Sequence, residues 1–279
     1  MKILVTGKGS YIGEFFKEYM LKNYSDYAID ALDMLDNSWK ESDFSGYDVV
    51  LHVAGIAHIK ETSENASLYY KVNCDLASEV CRKAKNEGVG QFVFLSTMSV
   101  YGKDYGVINA NTKPQPLTNY GKSKLMAEER ITALESENFR IAVLRPPMVY
   151  GKGCKGNFQA LKKIAQISPV FPRLNNSRSM IYIVNLCEFI KLITDNKKSG
   201  LFFPQNDMYS KTEDIVRIIA EKNGKKIYFS VVLGLLVKMI MPFSTKAKKA
   251  FGSLIYDIKD EWDFSYCKEN YESSFKKSI

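Results

Sequence analysis

Short apolar runs recur along the first half of the chain, at residues 2–6, 27–32, 48–53, 91–96 and 140–145. Several are apolar on consecutive positions rather than alternate ones, the pattern of a strand covered on both faces. The intervening stretches have helical spacing instead. Ile12, Phe15, Phe16 and Met20 share one side of the first, and two more helices are predicted near 66–87 and from Tyr120 to about Glu137. Strands alternating with helices predict an α/β fold of the Rossmann type, a doubly wound parallel sheet. Such a sheet binds its ligand at the C-terminal ends of the strands.

The rhythm changes after Arg145-Pro-Pro-Met-Val-Tyr-Gly151. Gly151, Gly153 and Gly156 lead into Asn157-Phe158, and element lengths become irregular. Residues 1–150 are therefore expected to form the dinucleotide-binding domain and 151–279 a smaller α/β substrate lobe, some of whose segments return to the first sheet. In that lobe Arg178 precedes a predicted strand, Met180–Val184, with a helix from Asn185, and 210–222 reads as an amphipathic helix. An arginine beside such a strand can hold a diphosphate bidentately. The most apolar stretch, 227–243, contains Lys238 and is followed by Lys246, Lys248 and Lys249. It is too short to span a bilayer. A helix packed in the lobe, or an oligomer contact, is expected ahead of a membrane-surface element.

Composition narrows the function classes. The chain has 279 residues, 46% hydrophobic and 25% charged, as in ordinary soluble proteins. Its net charge of +8 suits nucleic acid, an acidic membrane surface or a phosphorylated small molecule. No basic block interleaved with aromatics is present, so no nucleic-acid partner is expected. Five scattered cysteines without CxxC spacing and only two histidines, His52 and His58, argue against a disulfide framework or a metal site. The N-terminus turns glycine-rich too early for a signal peptide, and a cytoplasmic protein is expected.

The chemistry gathers at strand ends. Gly7-Lys8-Gly9-Ser10-Tyr11-Ile12-Gly13 joins the first strand to the first helix, where backbone N–H groups can hold a pyrophosphate. Ser10 stands where a GxxGxxG spacing places its middle glycine. Asp33 follows the second strand, twenty residues past Gly13, and can accept from adenosine ribose hydroxyls while repelling a 2′-phosphate, which favours NAD over NADP. Asp30 and Asp36 compete for that role. Ala54-Gly55 leaves room for a cofactor after the third strand. The fourth ends in Ser96-Thr97-Met98-Ser99, and two dozen residues later Tyr120 and Lys124 share a helix face.

With TGKGSYIG, DVVLHVAG, FLSTMSVYG, YGKSK, LRPPMVYG and NSRSMIYIVNL in place, the chain resembles the NAD-dependent epimerase/dehydratase family of extended short-chain dehydrogenases/reductases. The likeness covers residues 1 to about 190 and falls nearest a nucleotide-sugar branch of capsule and surface polysaccharide synthesis. The resemblance implies Tyr120 as acid/base, Lys124 as the group that lowers its pKa and holds the nicotinamide ribose, and Thr97 as the partner of the reacting hydroxyl. It implies that Pro147 borders the cofactor, that Met98, Ser99 and Met148 line the sugar pocket, and that Asn157 and Arg178 meet the diphosphate. Dehydrating members carry an acidic pair where this chain has Met98 and Ser99, so dehydration is disfavoured. The expected activity is NAD-dependent 4-epimerisation of a UDP-hexose or UDP-N-acetylhexosamine, by a homodimer. The alternatives are a UDP-4-keto-6-deoxy-sugar 4-ketoreductase using NAD(P)H and, more remotely, a non-catalytic NAD-binding regulator.

Overall fold

β-Branched and aromatic residues favour extended chain on a buried pleated surface, and the apolar runs do form strands. In the computed structural model, residues 1–57, 59–257 and 265–279 are described, apart from the side chains of residues 157, 245 and 246. The chain divides into two units. One comprises Met1–Gly102, Pro114–Pro146 and Leu186–Pro204, the other Lys103–Lys113, Pro147–Asn185 and Gln205–Ile279.

The first unit contains β1 (Lys2–Thr6), α1 (Tyr11–Asn23), β2 (Ala28–Leu32), β3 (Val49–His52), α2 (Ala66–Tyr70), α3 (Leu76–Asn86), β4 (Gln91–Leu95), α4 (Asn119–Thr132) and β5 (Arg140–Leu144). Most of α5 (Ile183–Asp195) and all of β6 (Gly200–Phe202) also belong to it. The six strands make one parallel sheet in the order β6-β5-β4-β3-β1-β2. Strand order reverses beside β1, so the crevice for a ligand lies beyond the ends of β1 and β3.

One face of the sheet, with Leu4, Val50, Phe92, Phe94, Ile141 and Val143, is buried against Val80, Cys81 and Ala84 of α3 and Ala127 and Ile131 of α4. Each of the leucine, valine, isoleucine and phenylalanine side chains contributes about 1.5–3 kcal/mol when removed from water. Between α2 and α3 the backbone makes a π-helical turn, Lys71–Asp75, which the helical spacing did not disclose.

The second unit is built from short parallel pairs: Met148–Tyr150 with Met180–Tyr182, Val170–Pro172 with Tyr228–Ser230, and Gly106–Ile108 with Leu254–Tyr256. Its aromatic core stacks Tyr150 on Phe275, ring centroids 4.4 Å apart, with Phe158 alongside. The strand expected over Met180–Val184 stops at Tyr182, and the helix begins at Ile183 rather than Asn185. Asn185 instead donates to Asn206, whose Oδ1 also accepts from the Tyr182 amide.

The apolar stretch folds as the helix Val231–Ile240 and a 3-10 turn, Met241–Phe243. The expectation of a packed lobe helix is not met: Gly234 is its buried residue, and most of its large apolar side chains are exposed. The glycine lets the backbone itself make the contact, which turns the side chains outward.

Candidate active site

The site grows from one close approach to the next. Gly7, at φ +108°, leaves β1 in a conformation that favours glycine. A Cβ there would lie 2.8 Å from the Ala54 amide nitrogen, so no larger residue fits. Val53 and Ala54 donate back to the Thr6 carbonyl, and Gly7 and Lys8 donate to the Leu32 carbonyl. The glycine turn is thus tied to the ends of β2 and β3.

Ser10 caps α1: its side chain accepts from Gly13 N, 3.2 Å away. Its backbone is extended, φ −75° and ψ 143°, so serine is accommodated there without strain. One residue went unnoticed in the sequence. Glu14, in the first turn of α1, reaches back so that its carboxylate accepts from the Gly9 amide at 2.7 Å. A carboxylate four residues after a capping serine was the available signal.

Asp33 lies exposed just beyond β2, its carboxylate accepting from Leu35 N. Its two competitors are engaged elsewhere. Asp30 accepts from the Tyr47 hydroxyl and faces Lys2, while Asp36 caps the short 3-10 turn Asn37–Glu41. His58 lies outside the described residues.

Gly55 continues the path. A Cβ on it would stand 2.9 Å from Asn73 Oδ1 and 3.4 Å from Lys124 Nζ. Asn73 is buried in the π-helical turn, where it accepts from Ile56 N and donates to the Ile56 carbonyl and Ser123 Oγ. It was not singled out in the sequence, since its partners lie 17 and 50 residues away.

Lys124 is buried, donates to the Leu95 carbonyl at 2.8 Å and sits 4.5 Å from the centroid of Phe94. Burial pushes its ammonium down to about 8, with the Glu128 carboxylate opposing. Two residues past Leu95, Thr97 accepts from Ser99 N. Tyr120 is partly buried beside it. Burial raises the Tyr120 phenol above its ordinary value, while the hydrogen bond with the Thr97 side chain works the other way. Among the chain's own groups desolvation dominates, and it disfavours phenolate.

Two devices hold Tyr120 and Lys124 in place. The Glu61 carboxylate accepts from the amides of Asn119 and Tyr120, 3.1 Å each, at the start of α4. One turn beyond Lys124, Glu128 accepts from Arg145 Nε at 3.0 and 3.1 Å and from Ser96 Oγ, and Arg145 also donates to the Tyr101 hydroxyl. This buried cluster joins α4 to the ends of β4 and β5.

Met98 is buried and Ser99 exposed, both in the 3-10 turn after Thr97. Pro147, Met148, Asn157 and Arg178 belong to the second unit. Pro147 is buried, Met148 opens the strand Met148–Tyr150, and Asn157 opens the helix Asn157–Ile167, its side chain outside the described set. Arg178 is partly buried and donates to the Lys249 carbonyl, and burial lowers its pKa.

A sheet of this order, with its glycine turn at the crossover, defines a Rossmann-type dinucleotide-binding fold. Within that class the chain belongs to the NAD dependent epimerase/dehydratase family, whose model matches residues 3–202. It is 30% identical to UDP-glucose 4-epimerase of Vibrio cholerae, over 62% of this chain and 56% of that one. It is also 30% identical to N-acetyl-alpha-D-glucosaminyl-diphospho-ditrans,octacis-undecaprenol 4-epimerase of Escherichia coli O157:H7, over 60% and 52%. The chain spans about half the length of these curated relatives. The crystal structure of UDP-glucuronic acid 4-epimerase from Bacillus cereus in complex with NAD superposes with a TM-score of 0.76, covering 100% of this chain and 95% of that one. At 21% identity that likeness is one of fold.

The family's cofactor is NAD, and the residues present fit it. Gly9, at φ +79°, has nothing within 4 Å of where a Cβ would stand, so the backbone of the turn is bare on that side, and Gly55 brings its backbone close to Lys124.

Proposed function

We propose that the protein is a UDP-hexose 4-epimerase that retains NAD through its catalytic cycle. The observation that carries this reading is the unbroken path from Gly7 through Ala54, Gly55, Lys124 and Leu95 to Thr97 and Tyr120. It supports a phenol, a hydroxyl and an ammonium acting together at the crevice where a dinucleotide would lie. The names of the relatives support a 4-epimerase in particular.

Bound NAD supplies a hydride acceptor at the sugar carbon and, when oxidised, a positive charge near Tyr120. Tyr120 takes the proton of the C4 hydroxyl and returns it after the sugar has turned. A phenol raised by burial is a poor base at neutral pH, so positive charge around it must favour phenolate during turnover. Lys124 contributes its ammonium and holds the cofactor's ribose; Thr97 donates to the oxygen that develops at C4. Met98 and Ser99 offer no carboxylate for elimination, so the reaction stops at epimerisation. Met148, Asn157 and Arg178 receive the nucleotide diphospho-sugar, with Asp33 on the adenosine ribose and Pro147 at the nicotinamide. The same reading takes the protein as a cytoplasmic homodimer through α2, α3 and α4, where Leu68 and Met126 are exposed.

The test is interconversion without added nicotinamide cofactor. The purified protein is incubated with UDP-glucose, UDP-galactose, their N-acetyl counterparts and a polyprenyl-diphosphate-linked N-acetylhexosamine, and bound NAD is released and quantified. One C4 pair should interconvert, and Tyr120→Phe should lower turnover by about 10²–10⁴-fold while keeping its NAD. If NAD-loaded protein turns over none of the UDP-sugar pairs, or only the polyprenyl-linked one, the reading fails. Reduction of a UDP-4-keto sugar by NADH or NADPH would then make it a ketoreductase.

A further inference from the structure

The helix Val231–Ile240 takes no part in that chemistry, and its sequence, VVLGLLVKMI, is apolar all round apart from Lys238. In a soluble fold such a helix is normally buried. Here it touches its own unit along a narrow stripe. A Cβ on Gly234 would lie 2.2 Å from the Arg173 carbonyl oxygen, so the helix backbone rests directly on the chain just after the strand Val170–Pro172. Val237 and Met241, three and seven residues on, are partly buried on the same side. The rest faces outward: Val232 is 67% exposed, Leu235 57%, Met239 70% and Phe243 91%.

Along the chain the charge of this stretch is one-sided, although Lys249 faces Asp104 at 3.8 Å. From Lys222 to Tyr256 the sequence has seven lysines and no aspartate or glutamate, so this stretch carries seven of the chain's eight net positive charges. Lys238 is exposed on the apolar helix itself. A second copy of the chain is a poor occupant, because a two-fold contact would bring these lysines against their own equivalents. Anionic headgroups above hydrocarbon match both properties at once. Among the described residues no helix is long and apolar enough to cross a membrane, and ten residues span only about 15 Å. An in-plane position follows.

We propose that this segment rests the second unit on a bilayer containing anionic phospholipid. The helix lies in the interface with Val232, Leu235, Met239 and Phe243 among the upper acyl chains, and the exposed Lys238 lies at the level of the phosphates. Apolar area and charge act together, so binding depends on both.

Co-sedimentation of the full chain with vesicles tests this. Vesicles of phosphatidylcholine with about a third phosphatidylglycerol should bind the protein at least ~10-fold more strongly than phosphatidylcholine alone, and salt of about 0.5 M should remove most of that difference. Leu235→Glu with Met239→Glu alters two exposed side chains and should weaken binding by ~10-fold or more with an unchanged thermal midpoint. The proposal is overturned if wild-type protein stays in the supernatant with anionic vesicles, or if the double variant binds as well as wild type. It is equally overturned if sedimentation equilibrium shows wild type associating through this face and the double variant not, which would assign the face to a second copy.

Discussion

Glu14 shows how one side chain can set the terms on which a cofactor enters. Its carboxylate occupies the Gly9 amide, in the turn where a pyrophosphate would be held. An incoming diphosphate must displace that carboxylate and meets its charge. Glu14→Gln should therefore tighten NAD binding by about three- to tenfold in calorimetry. Equal or weaker affinity would remove Glu14 from this role. His52 makes a different kind of statement. It is fully buried on β3, bonded through Nδ1 to the Thr6 hydroxyl at 2.7 Å and stacked near Phe92 and Phe94. Burial, with Lys124 nearby, pushes its imidazole down to about 3. The unfolded chain takes up a proton below about pH 6.5 that the folded chain refuses, so stability is complete above that pH and falls as pH drops toward 3, by up to ~1.4 kcal/mol per unit. Between pH 7 and 4.5 the wild type should lose about 2–3 kcal/mol more than His52→Asn in urea titrations. Parallel losses would mean that His52 is not the titrating group.

At the scale of the element, α4 is the part that must not move. Glu61 holds its first turn and the Glu128–Arg145 pair holds its middle. Arg145→Met removes the ion-pair partner of the buried Glu128 carboxylate, and should cost about 3–5 kcal/mol by denaturant titration. The double variant Arg145→Met with Glu128→Gln should recover much of that loss; if both lose equally, the pair is not what anchors the helix. Only half of this element was legible in the sequence. Tyr120 and Lys124 announce themselves by a four-residue spacing on a helix and by the strand before them. Glu61, Asn73 and Glu128 act through partners far along the chain, and no local pattern records which amide or guanidinium each will meet. The alternation of strands and helices was readable for a similar reason: β1 to β5 each repeat a local signal.

At the scale of the molecule the same contrast separates the two units. The first is a repeated motif, and its sheet could be anticipated from period and punctuation alone. The second is made of three-residue strands paired across long intervals, such as Gly106–Ile108 with Leu254–Tyr256. Strands that short leave no periodicity to read. The outward set of Val231–Ile240 was hidden for another reason: composition says how apolar a helix is, and a single glycine at 234 decides which side of it meets the protein.

β6 carries a consequence for synthesis. It pairs with β5 but lies almost sixty residues further along the chain. A ribosome adding about 5–20 residues per second needs roughly 3–12 s to cover that interval. Throughout that time the nascent sheet has an open parallel edge, Ala142–Leu144, with all three residues destined for the core. The period of greatest exposure to misassembly or chaperone capture therefore falls between synthesis of β5 and of β6, after Thr97, Tyr120 and Lys124 have been made.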